Sequence, residues 1–125
     1  MLSAAQFASE SLFTTAGEPT GWEKITTLNE TNVISFGLVQ TRNDLDNNKL
    51  AKLAQLNASD ANYSLVVQKL GLAGYQMHLV ITDLDGNITY NDFGRISGLN
   101  NSVVLERFVL INKSIVAKAR VEVWR

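Results

Sequence analysis

The chain reads as an α+β domain, with an N-terminal helix and two short helices packed on an antiparallel β-meander. Two hydrophobic periods predict this. In three segments before Gly71 the apolar residues fall on helical stripes, and from Tyr75 onward they recur at every second position. Size gives the third observation. A chain of 125 residues, 46% of them hydrophobic, is one domain spanning 1–125, and it can bury a core without staples although it has no cysteine.

Residues 1–15 are expected as a helix. Leu2, Ala5, Ser9, Leu12 and Phe13 share a stripe that Phe7 and Ala8 widen, and Gly17 and Pro19 stop it. Residues 16–32 are polar and turn-rich, with Trp22 as their large apolar anchor. A short strand is expected over 33–39, with Ile34, Phe36 and Leu38 toward one face. Residues 43–48 read as a loop in which Asp46 or Asn47 caps a helix carrying Leu50, Leu53, Ala54 and Leu56. A second helix starts near Ser59 or Asp60, aligns Tyr63, Val66, Val67 and Leu70, and ends at Gly71 and Gly74.

The second half alternates. Tyr75, Met77, Leu79 and Ile81 face one way, and Gln76, His78 and Thr82 the other. Asp85-Gly86 predicts a hairpin turn into a strand at 87–92, and 93–101 reads as a loop. Residues 103–111 are apolar on both faces apart from Glu106 and Arg107, which predicts a strand in the middle of the sheet. A turn at Asn112-Lys113 leads to the last strand. There Ile115, Ala117, Ala119, Val121 and Val123 face the core, and Lys118, Arg120, Glu122 and Trp124 form the outer row.

Chemical motifs are sparse. Net charge is −1 and the pI about 5.7, so there is no basic footprint for nucleic acid. Without cysteine, thiol catalysis and thiolate metal sites are excluded. His78, the single histidine, sits mid-strand with no neighbouring ligand in sequence and reads as a surface strand residue. Asp83-Leu84-Asp85-Gly86-Asn87 spaces oxygen donors as a calcium loop would. Ile88 and Gly94 then stand where the loop needs Gly and Glu, and a hairpin turn explains the same residues. No nucleophile elbow, phosphate loop or dinucleotide fingerprint is present, so no enzyme, cofactor or metal is expected.

The strongest signal is a set of six Asn-x-Ser/Thr sequons, at Asn29, Asn57, Asn62, Asn87, Asn100 and Asn112. Composition alone accounts for about 1.7 such triplets. They read as acceptors for N-linked glycan on an exported chain, with at least four of the six side chains exposed. The alternative is turn chemistry, since Asn, Ser and Thr all favour turns. Residues 1–15 lack the basic start and continuous apolar run of a signal peptide. Export therefore implies a signal or membrane segment upstream of Met1.

Several stretches also carry a family likeness: Ser11 to Trp22 (SLFTTAGEPTGW), Ile34 to Leu38 (ISFGL), Asn48-Lys49-Leu50, and residues 63–72 and 107–124. Together they resemble the soluble part of archaeal type IV pilin-like proteins, those made with class III signal peptides. Val39 stands where that family often has a small residue. The resemblance implies that residues 1–15 are the outer half of a longer helix whose inner half crosses a membrane or packs in a filament. Leu2, Ala5, Phe7, Leu12 and Phe13 would then form a self-assembly helix. It implies a structural or adhesive role at the cell surface, with like subunits or other surface proteins as partners and a membrane contact through the missing N-terminal segment. A small extracellular ligand-binding module, for a carbohydrate or a cation at the loops 83–87 and 93–101, is the alternative.

Overall fold

The computed structural model describes residues 1–41, 44–97 and 101–125, and it has the expected α+β layering. Among the described residues three α-helices, α1 (Leu2–Thr14), α2 (Asn47–Leu56) and α3 (Asp60–Lys69), and a 3-10 turn at Trp22–Lys24 accompany two sheets. The small sheet pairs β1 (Gly17–Glu18) with β2 (Ser35–Phe36). The large one contains β3 (Val39–Thr41), β4 (Asp44–Leu45), β5 (Gln76–Thr82), β6 (Thr89–Gly94), β7 (Ser102–Ile111) and β8 (Ile115–Trp124). Its strand order is β3-β4-β7-β8-β5-β6.

Local chemistry explains the helices of the middle segment. The Asp46 side chain accepts the Asn48 N–H and caps α2, and Ser59 does the same for α3 through the Asn62 N–H. α2 buries Leu50, Leu53 and Leu56, and α3 buries Tyr63, Leu65, Val66 and Val67. Ala54, expected on the packed stripe, is exposed instead. α1 lies across β7 and β8. Its packed stripe is Ala5, Ala8, Ser9, Leu12 and Phe13, while Leu2 and Phe7 stand in solvent at 51% and 63% exposure.

The last strand behaves as its alternation predicts. Ala117, Ala119, Val121 and Val123 are buried, and β8 pairs with β7 from Ile111↔Ile115 to Ser102↔Trp124. A one-residue slip would exchange these four for Lys118, Arg120 and Glu122, so burial of one face fixes the register. Asn112 and Lys113 both take positive φ, and the Ser114 N–H closes the turn onto the Ile111 carbonyl. Two positive φ values match the twist of the flanking strands.

Several expectations are corrected. The strand expected over 33–39 is two short strands, β2 and β3, broken at Gly37 and Leu38. Ile34 is 61% exposed, while Phe36 and Leu38 are buried. The chain bends because Gly37 presses against Thr15, where a side chain would collide with the Thr15 carbonyl. The loop expected over 43–48 contains β4, whose Asp44–Leu45 pairs in parallel with Leu110–Ile111, so the meander is mixed. The Asp85-Gly86 turn is wider than a two-residue hairpin. Asp83 Oδ1 accepts the backbone N–H of Asn87 and Ile88, and pairing resumes at Thr82↔Thr89. Phe93 and Gly94 belong to β6 rather than to the following loop, and 98–100 lie outside the described residues.

β7 lies inside the large sheet, as expected, third of its six strands. β8 runs along one side of it, and on the other β4 meets only Leu110 and Ile111. The middle strands are β7 and β8. Burial of both faces is what fails: the apolar residues on the outer face of β7 are uncovered, with Phe108 at 74% and Val104 at 41% exposure. Trp124, expected in the solvated outer row, is 6% exposed and sits in the ladder between Gln76 and Ser102.

Candidate functional surfaces

The most constrained polar group in the described structure is Lys49, a residue whose neighbours in sequence give no hint of burial. Its ammonium donates to the Ala16 carbonyl at 3.0 Å, to the Thr20 carbonyl, and to Glu23 Oε1 at 2.9 Å. Its side chain is 3% exposed and that of Glu23 is 9%. The ammonium also lies 5.5 Å from the centroid of the Trp22 ring. Trp22 in turn donates its indole N–H to the Gly37 carbonyl and meets Phe36 edge-on at 4.9 Å. One lysine therefore ties the turn-rich 16–23 segment to α2. A buried ammonium is tolerated only with this many acceptors. Glu23 and Lys49 lie far apart in the chain and form no motif, which is why the sequence conceals the pair. The arrangement is a clamp.

A second polar junction joins α3 to the sheet. Tyr63 donates its hydroxyl to Gln76 Oε1 at 2.7 Å and accepts the Met77 N–H at 3.0 Å. Arg95 stacks over the Tyr63 ring at 4.2 Å and pairs with Asp60 at 2.7 Å. Burial pushes the Tyr63 hydroxyl above the usual tyrosine range, opposed by the Met77 N–H and the Arg95 charge.

Of the five helix residues singled out for self-assembly, Ala5, Leu12 and Phe13 belong to the domain's own core. Leu2 and Phe7 face outwards. Phe7, Glu10, Ser11, Thr14, Thr15, Gly17, Glu18 and Ser35 line an open groove of about 450 Å³ along the outer side of α1. On the sheet, Val104, Phe108, Leu110 and Val116 form a second exposed apolar area. The charged residues beside it are paired, Lys118 with Glu106 at 3.5 Å and Arg120 with Glu122 at 3.7 Å.

The sequons divide by environment. Asn29, Asn87 and Asn112 are exposed, at turns. Asn57 and Asn62 are half-buried, and Asn100 lies outside the described residues. Three of the five described asparagines are thus exposed, and the expectation of at least four of six rests on Asn100. Asn57 Oδ1 accepts the Gly94 N–H at 2.9 Å and Arg95 Nη1 at 2.8 Å, which ties the end of α2 to β6. Asn62 sits in the first turn of α3.

His78 is joined to Asp92 at 2.7 Å on the outer sheet face, opposite Glu122 in the ladder. Among the described residues no group of three or more His, Asp or Glu side chains is placed to hold a metal ion. No helix among them is long and apolar enough to cross a membrane. No family model, curated protein or solved structure matches this chain significantly.

Proposed function

We propose that the chain is an extracellular structural or adhesive domain, a pilin-like subunit or membrane-anchored surface protein that works through assembly and contact. The observation that carries this reading is the placement of exposed apolar side chains on two different faces. Leu2 and Phe7 project from the helical layer, and Val104, Phe108, Leu110 and Val116 from the outer face of the sheet. Two unlike patches on one subunit suit head-to-tail association, which extends into rows rather than closing a dimer. Three exposed sequons at turns support an extracellular setting. The likeness to pilin-like proteins over residues 11–22, 34–38 and 107–124 supports the same role, and in those proteins the outer half of a long helix packs on the sheet as α1 does here.

The test is protease shaving of intact cells that make the protein, followed by peptide mapping. The reading expects peptides from the turns at 26–32 and 83–88 to be released without lysis. Protection of the whole chain until the cells are broken would overturn it.

A further inference from the structure

The Asn29 sequon differs from the others in its local geometry. Asn29 Oδ1 accepts three hydrogen bonds from its own turn: the Thr31 N–H at 2.9 Å, the Thr31 hydroxyl at 2.6 Å and the Asn32 N–H at 3.0 Å. Lys69 holds the same turn to α3 by donating to the Glu30 carbonyl at 3.0 Å. The carbonyl branch of the Asn29 amide is therefore committed to the protein. Donors on that oxygen draw electron density away from Nδ2 and make its protons easier to lose. Asn29 and Thr31 are both exposed. Among the described residues this is the sequon in which the hydroxyl of the third position meets the asparagine oxygen.

The two sequons nearby are built differently. Asn62 and Ser64 lie two apart on α3, where side chains do not face each other, so the same contact is closed to them while the helix stands. Asn57 spends its oxygen on Gly94 and Arg95 and is half-buried. Beside Asn29 runs a groove of about 310 Å³, with Asn29 and Leu28 on one wall and Asn62, Leu65 and Gln68 on the other. It mixes apolar and amide groups and is at the small end of ligand pockets, about 300 Å³, which is room for a single sugar ring.

We infer that Asn29 is an N-glycan acceptor of the folded domain preferred over Asn57 and Asn62, that the first sugar of its glycan lies in the groove against α3, and that Asn57 and Asn62 stay unmodified. The inference rests on the extracellular reading for its biological setting and on the fold for its selectivity. The donor is a sugar carried on a diphosphate. Its anomeric carbon–oxygen bond breaks with the electron pair leaving on the diphosphate. Asn29 Nδ2 bonds to that carbon, and one amide proton passes to a base of the transferase.

The experiment treats the folded chain with a soluble asparagine glucosyltransferase and UDP-glucose, and follows each sequon by peptide mass spectrometry. Asn29 is expected to gain glucose at least fivefold faster than Asn57 or Asn62, with the preference lost when the chain is unfolded in urea and reduced to peptides. Thr31→Ala, at an exposed position, is expected to abolish modification of Asn29 while Tm stays within 3 °C. Amide exchange in α3 is expected to slow after Asn29 is glucosylated. Equal rates at the three sites in the folded chain, or a preference that survives unfolding, would overturn selection by the fold. Unchanged exchange in α3 would overturn the placement of the sugar. These readouts do not depend on where the protein resides, so failure here is distinguishable from failure of the shaving experiment.

Discussion

Replacing Lys49 by Met tests the clamp on which the turn-rich segment depends. Methionine keeps the length of the side chain against Trp22 and deletes only the ammonium. Glu23, 9% exposed at its side chain, then loses its counter-charge, and the Ala16 and Thr20 carbonyls lose a donor. Removing one partner of a buried pair costs about 3–5 kcal/mol, because the other charge is left without compensation. The exposed edge of Glu23 allows some water to reach it, so about 3–4 kcal/mol is expected here. That is a large share of the roughly 5–15 kcal/mol that holds a domain folded. With a urea slope of ~1–3 kcal/mol/M, the midpoint should fall by about 1–4 M, read by far-UV circular dichroism and by tryptophan fluorescence. The companion Lys49→Met/Glu23→Leu removes both charges and should recover at least ~1 kcal/mol relative to the sum of the single variants. A midpoint shift below 0.5 M for Lys49→Met, or strictly additive variants, would refute the idea that the pair acts as one unit.

Tyr63→Phe removes the acceptor of the buried Met77 N–H and should cost about 1–3 kcal/mol in the same urea titration. Its pH dependence carries a sign. The folded-state pKa of Tyr63 is raised, so above the ordinary value of 10.0 the folded chain keeps a proton that the unfolded chain has lost. Stability is then lost as pH rises from about 10 through the folded value, and the gap between wild type and Tyr63→Phe should narrow over that window. Gly37→Ala forces a methyl group against the Thr15 carbonyl and the Gly17 N–H, and should lower stability by about 3 kcal/mol or abolish soluble expression. Phe108→Thr, at a side chain 74% exposed, should leave stability within about 0.5 kcal/mol while lowering self-association measured by sedimentation velocity at high concentration.

What the sequence made legible was local. The caps at Asp46 and Ser59, the stripe on α3, the turn at Asn112-Lys113 and the alternation of the last strand are set by neighbours within a few residues. What it concealed depends on residues that meet only after folding. β4 is two residues long and pairs with a strand more than sixty positions away, so no periodicity marks it. Ile34 and Phe36 share a parity, but the bend at Gly37 and the approach of Thr15 decide which of them is covered. Lys49 reads as a solvated helix residue until the loop carrying Glu23 closes over it. The sequons were plain in the sequence. Their inequality was not, because it comes from the Thr31 contact at one site and from Arg95 at another.

The place of β8 in the strand order has a consequence for how the protein is made. Without this strand the large sheet falls into two pieces, β3-β4-β7 and β5-β6, that share no backbone ladder. A ribosome that has released everything up to Asn112 has delivered α1, α2, α3 and the two separate pieces of the large sheet, but not the strand that joins them. The core residues Met77, Leu79 and Ile81 on one side and Val109 and Ile111 on the other wait for Ala117, Ala119, Val121 and Val123 to arrive between them. Nascent chains arrested before and after Ile115–Trp124 should therefore differ sharply in protease resistance, with the domain closing in one late step.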